Sequence, residues 1–582
     1  MSPPAAAALP SPPGPGPRSG RQPALYAGLI LGLAAVLIAI SWAGGPAAVY
    51  AGLAVAAVVV LLAPLLRYAR SLTPYALVGA ALVLIGLATA WFGPRVGEYT
   101  AAGLLGLTVM GLLVFRPYWY LWFLFPALLS WSYSSGVYVS ARGSSWMDTL
   151  SPWQLHLGPM PLADTLVLLL FLRVVCDPRF TERRQTHRFD LALGIYLLAY
   201  PLAALVGMMT RDSIQTWQIW LYAVRAPILL MATYVATSRL IPRDQPNAAR
   251  YFLLAPLIGL GGAILGSAYR ALVLHQIVDR AGSPILLVSE ANMLPSLALL
   301  GVAYLATGRR SGGMKILSVF AIFLAWAVLL ISTRRSLLIL SVLSFLGLFV
   351  FLPPLYRRRA VKVVGLALVA CVILATFVLA HAGKAGQLWS SFMSGSAWST
   401  QGTSYRTQEL TNVVNNLNKY GGWLFGEGMG RRWEHLGTLL NLWGGSGFGA
   451  DTGHVWIFPK HFFFLSNLLD QGLFGLGLMF AGLWLMFSRM HQLARQSLEG
   501  GEEEVLDRAL VAALMIGFMV SISLLYAFPN VGLFAGGLLG ASDCLLTRWY
   551  KPSSRRARAS SASAGADIAA SEPQYPPAAA AN

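Results

Sequence analysis

The sequence predicts an all-α fold: a polytopic transmembrane helical bundle of 14–16 spans carrying one long extracytoplasmic loop. Three observations lead there. Apolar runs of roughly 20 residues, the length that crosses a ~30 Å hydrocarbon core, recur along almost the whole chain. Only 11% of the 582 residues are charged and 56% are hydrophobic, against about 25% charged in an ordinary soluble domain; the mean hydropathy of +0.62 agrees. The runs do not alternate apolar with polar residues, which excludes a membrane β-barrel.

In order along the chain, residues 1–23 are Pro/Ala-rich and expected to be a disordered cytoplasmic tail. The run after them is long for a signal-peptide core and lacks an obvious cleavage site, so it reads as a retained first helix. Sixteen spans, with fourteen as a lower count, begin near Ala24, Pro46, Thr73, Tyr99, Tyr118, Pro161, Leu191, Ile219, Tyr251, Asn292, Ile316, Leu337, Val363, His461, Ala509 and Val531. Residues 549–582 form a second disordered cytoplasmic tail. The transmembrane domain is then 24–548, including a periplasmic loop at 381–460. No pair of Gly/Pro-interrupted helices in matched halves, the mark of a transporter repeat, stands out.

Lys and Arg in the links set the orientation. The basic links 67–70, 173–188, 239–250, 308–315 and 356–362 and the tail 548–559 all fall on one side of the sixteen-span arrangement. That side is assigned to the cytoplasm together with both termini. The net charge of +19 is thus a topology signal and implies no nucleic-acid partner. Cys176, Cys371 and Cys544 lie at or inside apolar segments, so neither a disulfide framework nor a cysteine metal site is expected.

The opposite side receives residues 137–158, 210–216, 270–290 and 332–336 and the loop from His381 to Lys460. A loop of about 80 residues among short links is usually functional or a small domain. Lys460 aside, its charges nearly balance: Lys384, Arg406, Lys419, Arg431 and Arg432 face Glu409, Glu427, Glu434 and Asp451.

Several cations stand where the topology rule expects few. Arg334 and Arg335 lie between two apolar runs in STRRSLLILSV. A guanidinium offers a planar fork of donors suited to phosphate oxygens and stays charged at any relevant pH. Arg225 lies inside WQIWLYAVRAPILLMATY, and an ionisable residue there marks a functional site by default. Arg270 and Arg280 read more simply as snorkelling to the headgroups.

Within the long loop, Leu410, Val413, Val414 and Leu417 recur at helical spacing, so Tyr405–Asn418 reads as an amphipathic helix with Ser404 as its N-cap. Arg406 and Glu409 share a face of it. GWLFGEGMG, Gly422–Gly430, permits a tight turn but is only weakly like a phosphate-cradling loop, since no GK[ST] succeeds it. His454 and His461 are seven apart with Pro459 between them, and Asp451 precedes His454 by three. That is too few ligands for a metal site. Lys460 reads as an interfacial anchor, and on spacing alone His461 at a helix mouth would be the same.

Taken together, these motifs resemble the O-antigen ligase and Wzy-type polysaccharide polymerase superfamily of bacterial inner-membrane glycosyltransferases. That family's His-Asn-x-Tyr-Leu motif, continuing to Glu-x-Gly-x-x-Gly, is matched from His461 by Leu465, Leu468, Asp470, Gly472 and Gly475. Asp470 replaces the usual Glu, Phe462 the usual Asn and Phe464 a common Tyr. TRRSLLILSV is similar to the family's Ser-Arg-Gly helix start, with Arg335 for the small residue. TSYRTQEL ahead of GWLFGEGMG, and SEANMLPSLALLGVAYL, are further likenesses. The resemblance covers roughly residues 190–550.

It implies a metal-independent enzyme without cofactors, acting on a glycan carried by undecaprenyl pyrophosphate at the periplasmic face. An acceptor hydroxyl attacks the anomeric carbon and the lipid pyrophosphate leaves, stabilised by Arg225, Arg334, Arg335 and Arg406. His461 would be the catalytic base or positioning group, supported by Glu409, Asp451 and His454. The long tails and extra N-terminal spans favour a polymerase of repeat units; a ligase to lipid A-core is the alternative, and a lipid-linked sugar flippase a more distant one. Expected partners are the lipid-linked oligosaccharide, membrane lipids, and the flippase and chain-length regulator of the pathway.

Overall fold

The computed structural model describes residues 106, 108–130, 152–153, 155–157, 160–177, 180, 188–209, 217–241, 248–272, 279–280, 283–284, 293–307, 312–331, 335–381, 400–429, 433–434, 454–455, 463–496, 502–525 and 529–549. The spans expected near Ala24, Pro46 and Thr73 and, Trp549 apart, both tails lie outside them. The chain divides into two compact units, residues 1–112 with 311–313, and residues 113–310 with 314–582. The second unit carries the elements that position the candidate site.

The architecture is all-α. Helices α1 (Pro117–Ser130), α2 (Leu162–Cys176), α3 (Arg188–Met209), α4 (Trp217–Leu240), α5 (Ala248–Leu272) and α6 (Leu294–Thr307) come first. Next are α7 (Gly312–Ile331), α8 (Arg335–Phe351), α9 (Pro354–His381), α10 (Thr400–Tyr420), α11 (Phe463–Gln496), α12 (Glu502–Leu525) and α13 (Pro529–Trp549). Proline opens α1, α9 and α13, where its missing N–H has no helical partner to lose. Two helices begin well ahead of their apolar runs. Glu502–Glu504 favour the N-terminus of α12 through the helix dipole, and the arginines at 357–359 are good helix formers that carry α9 back to Pro354. Helix α10 starts at Thr400, not after a cap at Ser404; a capping preference of about 1 kcal/mol does not stop a helix whose next turn also tolerates Thr and Gln.

Among the described residues, four helices contain segments long and apolar enough to cross a membrane: Leu191–Met209, Gly312–Leu329, Asn467–Arg489 and Val505–Ile522. Among the described residues, strands are limited to two-residue pairs: β1 (His156–Leu157) with β2 (Met160–Pro161), β3 (Asp279–Arg280) with β4 (Ser283–Pro284), and β5 (Trp433–Glu434) with β6 (His454–Val455).

Small residues set the packing. Gly532, Gly536 and Gly540 of α13 lie against the backbone of α4 at Ala226, Leu230 and Tyr234, so these two helices run parallel in close contact. The contact is locked further along by Tyr234 Oη donating to Asp543 Oδ2 (3.3 Å) and Cys544 Sγ to the Ser238 carbonyl (3.2 Å). Helices α1 and α5 are also parallel: Tyr118 and Trp122 meet Tyr251, and Leu129 and Ser130 meet Gly259 and Gly262. Helix α3 runs antiparallel to α11, with Gly482 against Ala192 and Tyr196 and the other end of α3 near the start of α11. Helix α6 is buried along nearly its whole length, packing Gly301 on α7 and Ser296 on Gly517 of α12.

Candidate functional site

The most unusual geometry lies where α11 breaks. At Gly472 the backbone turns to φ 65°, ψ −170°, a region open essentially to glycine alone. In an unbroken helix Leu473 N–H would donate to the Leu469 carbonyl and Phe474 N–H to that of Asp470. Instead the segment 423–428 is spliced into the ladder. Leu473 N donates to Trp423 O (2.8 Å), Phe474 N to Leu424 O (2.9 Å), Glu427 N to Leu469 O (2.7 Å) and Gly428 N to Asp470 O (3.1 Å). Four bonds to the loop thus give partners to Leu473 N, Phe474 N, Leu469 O and Asp470 O, whose helical bonds the break removes.

The sequence builds this junction step by step. Helix α10 ends in a Schellman turn, with Gly421 at φ 68° and Gly422 N donating to Leu417 O (3.1 Å). Gly426 N then closes a turn on Gly422 O (2.8 Å). A side chain at Gly426 would strike the backbone of Asp470 and Gln471, and one at Gly428 the backbone of Gly207 on α3. Met429 N completes the attachment by donating to Ala203 O (3.0 Å). Beneath, Val413 and Leu417 of α10 pack on Leu469, with Leu465 and Leu468 alongside. The amphipathic reading of this helix therefore finds its apolar partner in α11.

Polar groups are buried in the same place. Asn416 Nδ2 donates to Asn412 O (2.8 Å) and Gln471 Nε2 to Asn467 Oδ1 (3.0 Å). Glu427 and Asp470 are buried carboxyl groups close enough to act on one another electrostatically. The tight turn anticipated in GWLFGEGMG exists, but it does not offer a phosphate cradle. The N–H groups of Glu427, Gly428 and Met429, which would face an anion, are taken up by Leu469, Asp470 and Ala203.

Arg225 sits in the third turn of α4 with its side chain only 11% exposed. Its Nε lies 2.6 Å from Asp164 Oδ2 in the first turn of α2, and its guanidinium lies over the Trp153 ring at 5.4 Å. The hairpin holding Trp153 folds back on α2: Leu162 N donates to Leu155 O (2.6 Å), Ala163 N to Pro152 O (2.8 Å) and Trp153 Nε1 to Leu128 O (3.2 Å). The carbonyls of 152 and 155 thereby cap first-turn donors of α2. Arg225 thus faces the protein interior, held by a carboxylate and an indole.

The other expected site residues are placed less fully. Arg335 is the first residue of α8, Arg406 and Glu409 lie in the first half of α10, and His454 pairs through the backbone with Glu434 in β5–β6; their side chains lie outside the described residues. So do Arg334, Asp451, Lys460 and His461 entirely. The β5–β6 register joins the chain just after the Gly-x-Gly turn to the stretch just before His461. Among the described residues no three His, Cys, Asp or Glu side chains cluster as metal ligands.

Sequence reasoning passed over Asp164, Trp153 and the burial of Glu427 near Asp470. A signal existed for the first: a lone carboxylate in the apolar run PLADTLVLLLF is the natural counterpart of a lone arginine in another. The sequence matches no protein-family model and no curated protein.

Proposed function

We propose that this chain is a multi-pass inner-membrane glycosyltransferase, with both termini cytoplasmic, that polymerises undecaprenyl-pyrophosphate-linked repeat units at the periplasmic face. The observation that carries the reading is the splice at Gly472. Two motifs chosen for their likeness to one superfamily, the Gly-x-Gly turn of the long loop and the Asp-Gln-Gly of the helix after His461, are about 45 residues apart in sequence and hydrogen-bonded to each other in space. The relative directions of the helices add support. Parallel α1 and α5, parallel α4 and α13, and antiparallel α3 and α11 are what an alternating order of spans requires of those pairs.

In this reaction an acceptor hydroxyl attacks the anomeric carbon of the donor glycan, the C–O bond to the lipid pyrophosphate breaks, and the hydroxyl proton passes to His461. A neutral imidazole suits that task near neutral pH. Arg334, Arg335 and Arg406 balance the charge on the departing pyrophosphate. Arg225, already paired with Asp164, contributes its field from a fixed position.

Gene deletion and glycan analysis test the reading. Single repeat units in place of long chains are expected. Intact long chains retained on the carrier would make the chain a ligase, and unchanged glycans would defeat both. His461→Ala is expected to lower polymerisation by about 10²–10⁴-fold; restoration of normal glycan by that variant removes His461 from the chemistry. Arg334→Lys keeps the charge but loses the planar fork, so full activity there would exclude bidentate pyrophosphate binding.

A further inference from the structure

The spliced segment has a second side. While its backbone is bonded to α11, Leu424 and Phe425 point outward, 56% and 54% exposed, and Trp423 is 37% exposed. They do not form an isolated patch. The Phe425 ring packs on Phe474 at 5.7 Å, and the exposed surface continues down α11 through Leu473, Phe474, Phe480 and Trp484. That surface belongs to the apolar segment Asn467–Arg489.

The hydrogen bonds tie the loop to that segment. Trp423 O and Leu424 O accept from Leu473 and Phe474, which stand six and seven residues into that segment. Non-helical backbone survives at hydrocarbon depth where its polar groups are satisfied by protein, and seven backbone groups of this loop are so satisfied. The carbonyls of 422, 423 and 424 accept, and the N–H groups of 426, 427, 428 and 429 donate, all within the protein. Polarity changes where an interface would lie. Asn418, Lys419 and Tyr420 at the end of α10 are exposed, Lys419 Nζ lies 5.3 Å from the Tyr420 ring, and Trp423 Nε1 donates to Asn418 Oδ1 (2.8 Å). An indole with its N–H directed to a polar rim and a Lys–Tyr pair above it are the residues that mark a membrane–water boundary.

We propose that Trp423–Phe425 is a re-entrant wedge inserted among the acyl chains of the adjacent leaflet, fastening the long extracytoplasmic loop to the membrane beside the entrance of α11. The inference rests on α11 crossing the bilayer and not on the chemistry proposed above. Site-directed spin labelling of the full chain tests it, in nanodiscs of phosphatidylethanolamine and phosphatidylglycerol. Cys176, exposed, is replaced by Ser, while Cys371 and Cys544, buried, remain. Single labels go on Leu424→Cys, on Trp484→Cys as a bilayer reference and on Lys419→Cys as a water reference, with Phe425→Cys as a second wedge position should Leu424→Cys not be monodisperse. The expected ratio of oxygen to nickel-chelate accessibility at 424 matches that at 484 and is several-fold above that at 419. A ratio at 424 equal to that at 419 overturns the wedge. Low accessibility to both reagents with dipolar broadening also overturns it, assigning the surface to a second copy of the chain. An aqueous reading at 484 would remove the span itself, and with it the membrane reading; loss of polymerase activity alone leaves the wedge standing.

Discussion

Two glycine-lined contacts in this protein solve different problems with the same residue. Along α13, Gly532, Gly536 and Gly540 keep ordinary helical backbone and serve only to let α4 approach until its carbonyl oxygens touch. At the splice, Gly472 combines a left-handed φ with backbone packed against the place where a side chain would be. The first is a matter of space and the second of space and conformation together. A glycine count therefore says little until each position is assigned its physical demand.

Substitutions separate the two demands. Gly472→Ala carries both penalties, of order 1–3 kcal/mol for the backbone conformation and about 1–3 kcal/mol for overpacking against Leu424 and Gly426. It is expected to lower the thermal midpoint the most and to open 421–429 to limited proteolysis. Gly536→Ala carries the steric demand alone, since its Cβ would meet the Leu230 carbonyl; a loss of about 1–3 kcal/mol is expected, with no new cleavage in the loop. Gly421→Ala isolates the conformational demand, because φ is 68° but the surrounding space is open; a loss of about 1–2 kcal/mol is expected by thermal unfolding. Gly477→Ala carries neither, having nothing within 4 Å of an added Cβ in a helix, and is expected to be neutral or to stabilise by up to about 1 kcal/mol. A destabilised Gly477→Ala, or a Gly472→Ala no worse than Gly421→Ala, would contradict this division of demands.

How far each contact could be read in advance depends on the same division. The helix in the long loop was visible because Val413 and Leu417 recur at helical spacing, although its start was not, since Ser404 is only a weak local signal. The turn in GWLFGEGMG was visible from its glycines, whereas its partner was not: nothing local to Gly426 names Gly472. Arg225 was conspicuous as a cation in an apolar run, but its meaning changed once Asp164, 61 positions earlier, appeared beside it. GLFAGGLLG in α13 carries three glycines four apart, a pattern that could have been read as a close helix contact without saying which helix it meets.

By itself, then, the sequence determined that the chain is helical, where most helices run, and that the long loop would contain a helix leading into a tight turn. These are consequences of composition and short-range periodicity, which act within a few residues. Only the tertiary structure decided that the turn would be spliced into α11, that Arg225 would be held by Asp164 and Trp153, and that Leu424 and Phe425 would extend the apolar face of a membrane-length helix. Each of those depends on hydrogen bonds or ion pairs between segments tens of residues apart, whose partners are selected by packing and leave no period in the sequence.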